Sequence, residues 1–180
     1  GRKRRVGNDL EQAAFERGML LLHLYEYPDA AKAFQDAQQL DPDFAMAYWG
    51  EALTATHPLW NQDNLAMGRA ALAKLAPTPE ARAAKAGSDR ERAYLEAAEK
   101  LYGEGTIQAR DLAFLQAMEA IAKAWPDDDE AQLFLAQALL GVTRGERDVA
   151  NYLRAAGIAK AVHARDPRHP RQQRPRPQGE

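Results

Sequence analysis

The stretch LDPDFAMAYWGEAL, residues 40–53, decides how this chain folds. A helix-like segment ends at Leu40, the pair Asp41-Pro42 interrupts it, and a second apolar segment with two aromatic residues follows at once. Proline disfavours α geometry in the residue before it, and a neighbouring Asp can cap the next helix through its side-chain oxygen. The stretch therefore predicts the end of one helix and the start of another within a few residues.

The same kind of break recurs at residues 76–79, 125–128 and 165–170, and shorter interruptions divide each segment into two helices. The spacing of a capping box predicts helix starts at Ser88 with Glu91 and at Asp127 with Glu130. No window shows the Val, Ile and Thr alternation of a strand. The sequence predicts an all-α fold with eight helices, near residues 9–24, 28–40, 44–57, 63–75, 88–102, 107–124, 128–142 and 148–165.

Residues 11–44 have the residue spacing of one tetratricopeptide repeat. In that repeat small residues let the two helices approach, and large residues fill the gap between neighbouring repeats. Residues 45–79 follow this spacing more loosely, and residues 88–126 and 128–167 keep only the helix pair and its closing proline. The matching residues of the first segment are Gly18, Tyr27, Ala30, Phe34, Ala37 and Pro42.

Residues 15–53, FERGMLLLHLYEYPDAAKAFQDAQQLDPDFAMAYWGEAL, resemble the bacterial tetratricopeptide-repeat (TPR) proteins. Later stretches, up to WPDDDEAQLFLAQALLG, are similar to a poorly characterised branch of that family, so the resemblance covers residues 9–170. It implies an α-solenoid of about four antiparallel helical hairpins, wound as a right-handed superhelix. In that family the inner helices line a concave surface for protein or peptide partners, and no catalytic activity is implied.

Both ends of the chain differ in composition from its body. We divide the chain into a basic tail at residues 1–8, a TPR-like repeat domain at 9–167 and an Arg-, Pro- and Gln-rich tail at 168–180. The last segment has no apolar periodicity, and we expect it to be disordered. The relatives continue into further repeats at this point, so a natural tail and a truncation by a frame slip after residue 170 both stay open.

Composition and charge exclude several classes of protein. The chain has no cysteine, which excludes disulfides and thiolate metal sites, and no apolar run approaches the ~18 residues of a membrane span. Residues 6–164 carry 15 basic and 24 acidic side chains, a net charge of −9 that would repel nucleic acid. We expect a soluble, cytoplasmic protein, although the lack of cysteine fits the periplasm equally well.

The groove positions of the repeat family, carried onto this chain, give an apolar and aromatic lining with adaptable methionines. Such a lining suits an amphipathic helix or an extended peptide with bulky anchors, although packing between hairpins is the alternative role for Phe15, Met19 and Trp49. The chain lacks the Lys and Asn residues of the family's carboxylate clamp, which argues against an acidic C-terminal peptide. The predicted groove residues are Gln12, Phe15, Met19, Leu22, His23, Met46, Trp49, Leu53, Thr56 and His57.

His23 and His57 lie one repeat length apart, and with Glu26 or Asp63 they form the best candidate for a metal or acid–base site. Their spacing matches no metal motif, so we predict that they are hydrogen-bonded at helix ends. Trp60, presented from a loop, is either an interface anchor or a cover for the core.

The sequence has no phosphate loop and no nucleophile elbow. We therefore predict a non-catalytic protein-interaction module without metal or cofactor. The alternatives are a metal-binding or enzymatic protein that uses His23 and His57, and a nucleic-acid binder that uses its basic tails.

Overall fold

The computed structural model describes residues 2–144 and 146–165, and side chains from Asp9 onward. Within this part the chain forms nine α-helices and one pair of two-residue antiparallel strands, β1 (Thr56–His57) and β2 (Gln62–Asp63), joined by a 3-10 turn at Pro58–Trp60. The helices are α1 (Arg2–His23), α2 (Tyr27–Leu40), α3 (Ala45–Leu53), α4 (Leu65–Leu75), α5 (Pro79–Ala83), α6 (Asp89–Leu101), α7 (Ile107–Ala124), α8 (Asp129–Thr143) and α9 (Val149–Arg165).

Helices that are neighbours in the chain pack against each other as hairpins. Four pairs form in this way: α1 with α2, α3 with α4, α6 with α7, and α8 with α9. Contacts of α2 with α3, of α3 with α6, and of α7 with α8 join successive hairpins, while the short helix α5 packs on α6. This arrangement confirms the predicted all-α fold of about four repeated hairpins.

The structure differs from the predicted elements in three places. Helix α1 begins at Arg2, so it includes residues that the sequence assigned to a basic tail. The helix predicted over residues 44–57 ends at Leu53, and the following residues form β1 instead, because the chain reverses through Pro58 and a left-handed Asn61. Helix α5 is additional, and the predicted tail at 168–180 lies outside the described residues.

One aromatic ring determines how closely the first two hairpins approach. Phe34 of α2 is fully buried, and it packs against two glycines, Gly18 on α1 and Gly50 on α3. A Cβ atom added at Gly18 would lie 2.7 Å from the ring, and one added at Gly50 would lie equally close or closer. Since real Cβ atoms do not approach other heavy atoms so closely, both positions require glycine as long as the Phe34 ring stays in place.

A buried carboxylate joins the outer sides of the same two hairpins. Glu51 of α3 accepts hydrogen bonds from Gln35 at 2.9 Å and from Gln38 at 2.6 Å, both on α2. Lys74 of α4 donates to both of its carboxylate oxygens at 2.6 Å. Because a buried charge is tolerated only when it is paired and hydrogen-bonded, this network fixes α3 between α2 and α4.

Replacing Gly50 by alanine tests the role of the Phe34 ring. We expect Gly50→Ala to lower the free energy of unfolding by about 1–3 kcal/mol through overpacking, measured by urea denaturation. Gly157→Ala is the matched control, since Gly157 lies in helix α9 with no atom within 4 Å of an added Cβ. The control should instead gain about 0.5–1 kcal/mol from the better helix propensity of alanine.

Adding Phe34→Leu to Gly50→Ala relieves the clash, so the double variant should lose less stability than the sum of its two single changes. Equal stability of Gly50→Ala and the unmodified chain would contradict this account.

Candidate functional site

The inner helices of the repeat converge on a cluster of aromatic rings. Trp49 of α3 makes edge-to-face contacts with Tyr94 of α6, at 5.2 Å between ring centroids, and with Phe134 of α8, at 5.3 Å. Tyr94 and Phe134 lie 6.5 Å apart, and the His23 ring of α1 lies 5.7 Å from Phe134. Side chains from all four hairpins therefore meet at one point, which we call the aromatic partition (His23, Trp49, Tyr94 and Phe134).

A polar contact joins the first and the last hairpin beside this partition. His23 is 2% exposed, and its Nε2 lies 2.6 Å from the Glu130 carboxylate, 107 residues further along the chain. His23 ends α1 and Glu130 lies in the first turn of α8. This contact therefore links the C-terminal end of α1 to the N-terminal end of α8.

The aromatic partition divides the inner surface into two spaces of very different size. On one side is an open cleft of about 740 Å³, bordered by α1, the start of α3 and the first turns of α6 and α8. On the other side Phe134 borders a cavity of about 40 Å³, which has room for a few water molecules only. Of these two spaces, the larger one, called the cleft from here on, has the size of a ligand site.

The floor of the cleft is apolar and adaptable. Five side chains from α1 and from the region where α3 begins supply it: Phe15, Met19, Leu20, Phe44 and Met46. The rings of Phe15 and Phe44 pack at 5.0 Å between centroids, and Leu20 is 41% exposed. Such a floor offers soft surface that can repack around a bulky apolar group.

The rim of the cleft is held by the side chain that caps α8. The Asp128 carboxylate accepts hydrogen bonds from the first backbone N–H groups of α8, from Tyr94 Oη at 3.0 Å and from the Arg90 guanidinium at 2.6 Å. Burial raises the pKa of Tyr94 above its usual value, and the nearby Asp128 charge adds to this effect. The phenol therefore keeps its proton and remains a donor, and Arg90 also covers its ring at 5.0 Å.

The structure distributes the predicted groove residues over separate places. Gln12, Phe15, Met19, His23, Met46 and Trp49 line the cleft, whereas Leu22, Leu53 and Thr56 line the small cavity beyond the aromatic partition. His57 lines neither space; it stacks on the Tyr27 ring at 3.7 Å and donates from Nε2 to the Thr54 carbonyl oxygen at 2.9 Å. The continuous groove of the sequence analysis is thus interrupted in its middle.

The two histidines lie at helix ends and contact different protein groups. Among the described residues there is no group of three or more His, Asp and Glu side chains that is arranged to hold a metal ion. A metal bound at Nε2 of either histidine would have to displace the Glu130 contact or the Thr54 hydrogen bond. Trp60 is 52% exposed, and its ring contacts the Tyr25 ring edge-on at 5.7 Å between centroids, next to the turn that joins α1 and α2.

Sequence reasoning missed the part of the cleft that the third and fourth hairpins supply. Arg90, Glu91, Tyr94 and Glu130 all line the cleft, together with Glu16 of α1. The repeat spacing is weakest in these hairpins, and it gives no signal that α8 closes against α1. One indication of this region was available in the sequence, since the acidic residues there predicted a helix start. The prediction assigned the cap to Asp127, whereas Asp128 caps the helix in the structure.

No protein-family model matches the chain, and no curated protein or solved structure is significantly similar to it. Within the described ranges, 2–144 and 146–165, no helix combines the length and the apolar character that crossing a membrane requires.

Substituting two adjacent aspartates distinguishes the residue that supports the rim from its neighbour. We expect Asp128→Ala to lower the free energy of unfolding by about 2–4 kcal/mol, because it removes the helix cap and the acceptor of Arg90 and Tyr94. Asp127→Ala is the control, since Asp127 is exposed, and should change stability by less than about 0.5 kcal/mol.

Asp128→Asn keeps a good cap but loses the charge, so its stability should lie between those of Asp128→Ala and the unmodified chain. Equal effects of Asp127→Ala and Asp128→Ala in thermal or urea unfolding would contradict the assigned cap.

Proposed function

We propose that the chain is a non-catalytic protein-interaction module of TPR-like repeats, which binds a peptide or a helix of a partner in the cleft. The observation that carries this proposal is the cleft itself, about 740 Å³ of open space over an apolar floor. Its volume falls within the range of roughly 300–1,000 Å³ that is usual for ligand sites. The spacing of Gly18, Ala30 and Phe34 supports the repeat type, because these residues make the close helix contacts that such a repeat needs.

The lining of the cleft favours a polypeptide over a compact polar ligand. Phe15, Met19 and Leu20 present apolar surface along α1, and Phe44 and Met46 continue it towards α3. Burying one large apolar side chain contributes about 1.5–3 kcal/mol, so an apolar anchor from a partner gains most of its binding free energy here. A helix with anchors at helical spacing, or an extended strand with alternate anchors, can use such a floor.

The polar groups beside the cleft support a binding role rather than a catalytic one. Arg90 and Tyr94 hold Asp128, which caps α8, and His23 contacts Glu130 between the first and last hairpins. Glu91 accepts a hydrogen bond from the backbone N–H of Gly87 at 2.7 Å, just before α6. Each of these side chains thus has a structural role at a helix end, which accounts for its presence without a reaction.

A selection experiment with a matched pair of variants tests this proposal. A displayed library of randomised peptides is selected on the immobilised chain, and the affinity of the enriched peptides is then measured by fluorescence anisotropy. Because a buried carboxylate opposes an apolar anchor, Met19→Glu should weaken binding by roughly tenfold or more. Leu112→Glu should leave the affinity unchanged, since Leu112 lies on α7, is 51% exposed and does not line the cleft.

Circular dichroism and thermal unfolding establish that both variants stay folded. Leu53 is unsuitable for such a test because it is only 6% exposed, so a glutamate there would disrupt the core. Peptides that bind Met19→Glu as well as they bind Leu112→Glu would show that binding does not use the cleft, and a selection that enriches nothing would remove the proposal.

A further inference from the structure

We infer that the partner segment is basic, with a bulky apolar anchor flanked by Lys or Arg residues. This inference rests on the proposed function and specifies the chemistry of the partner that the cleft binds. Its basis is the charge around the apolar floor. Three carboxylates border the cleft, those of Glu16, Glu91 and Glu130, whereas Arg90 is the only Lys or Arg among the described residues that line it.

The single Arg of the lining does not offset this negative charge. Its guanidinium lies 2.6 Å from the Asp128 carboxylate and 5.0 Å above the Tyr94 ring. Asp128 therefore already balances the Arg90 charge, and the guanidinium is positioned for capping α8 rather than for receiving an anion. The carboxylates of Glu16 and Glu91 remain as the negative charge that a partner meets, since Glu130 contacts His23.

Two of these carboxylates are held by neutral groups only. Glu16 accepts a hydrogen bond from the amide of Gln12 at 3.0 Å, and Glu91 accepts one from the backbone N–H of Gly87. In the described part of the chain neither forms an ion pair, in contrast to Glu51 with Lys74 and Glu99 with Arg82, which do not line the cleft. Among the described residues, Glu16 and Glu91 thus keep a negative charge at the cleft without an ion-pair partner.

The apolar floor and the acidic rim together fit amphipathic basic segments. An apolar anchor can pack on Met19 and Leu20 while Lys or Arg stems lie along the cleft wall and bring their charges to the rim. Arg can also bind a carboxylate with two parallel hydrogen bonds, which Lys cannot. The acidic body of the chain adds a longer-range field that attracts basic segments and repels acidic ones.

The charge of the selected peptides is the first measurement. Peptides enriched on the unmodified chain should carry an excess of Lys and Arg over the unselected library, beside their apolar anchors. For one enriched peptide, Glu16→Lys should weaken binding roughly three- to tenfold at about 50 mM salt, as expected for reversing one exposed charge. The difference should shrink at about 500 mM salt, where charges on the surface are screened.

Glu96→Lys is the matched control. It makes the same charge change on a helical residue that is exposed and lies outside the cleft, so it should alter the affinity less than about twofold. Glu91 is left unchanged because it also holds the start of α6.

The possible outcomes separate this inference from the proposed function. Basic enriched peptides that are weakened by Glu16→Lys but not by Glu96→Lys support both. If the enriched peptides carry no excess positive charge, and Glu16→Lys binds them normally while Met19→Glu does not, the inference is overturned. The proposed docking function then remains. Basic peptides that Met19→Glu binds as well as the unmodified chain does, or a selection without enrichment, overturn both.

Discussion

The Phe34 ring, held between Gly18 and Gly50, is the constraint from which the arrangement of the first two hairpins follows. Because both glycines lack a side chain, α1 and α3 lie against the same ring, and their inner faces are brought side by side. The cleft floor is built on those two faces, from Phe15 and Met19 on α1 and Met46 on α3. A second contact of this kind, Gly68 of α4 against the Tyr102 ring, joins the second hairpin to the third. Close packing of glycine against an aromatic ring thus recurs where the hairpins meet.

The prolines and the glycine–aromatic spacing made much of this predictable. The break at Asp41-Pro42 correctly predicted the end of α2 and the start of α3, and the weaker repeats still predicted the later hairpins. Short elements were harder, because α5 and the strand pair depend on a single cap at Thr78 and on the left-handed backbone of Asn61. The cap of α8 was predicted at Asp127 but is Asp128. An uncertainty of one residue is usual at a helix start where several acidic residues are adjacent.

The inner surface was less predictable, because it depends on contacts between residues that are far apart in the sequence. Repeat spacing identifies which residues point inward, and six of the ten predicted groove residues do line the cleft. It carries no information on how far the superhelix turns, so it could not foresee Phe134 meeting Trp49 or Glu130 meeting His23. Those contacts divide the inner surface and supply the acidic side of the rim.

The contact between the first and last hairpins affects how the molecule is expected to unfold. In an open stack each repeat touches only its neighbours, so the ends can fray and stability grows almost unit by unit. Here His23 and Trp49 need α8 to cover them, although it follows them by about 80 residues or more along the chain. Loss of the last hairpin would expose the buried indole of the second, so unfolding at either end is coupled to the whole. We therefore expect the first and last hairpins to unfold together in one cooperative transition, rather than to fray separately.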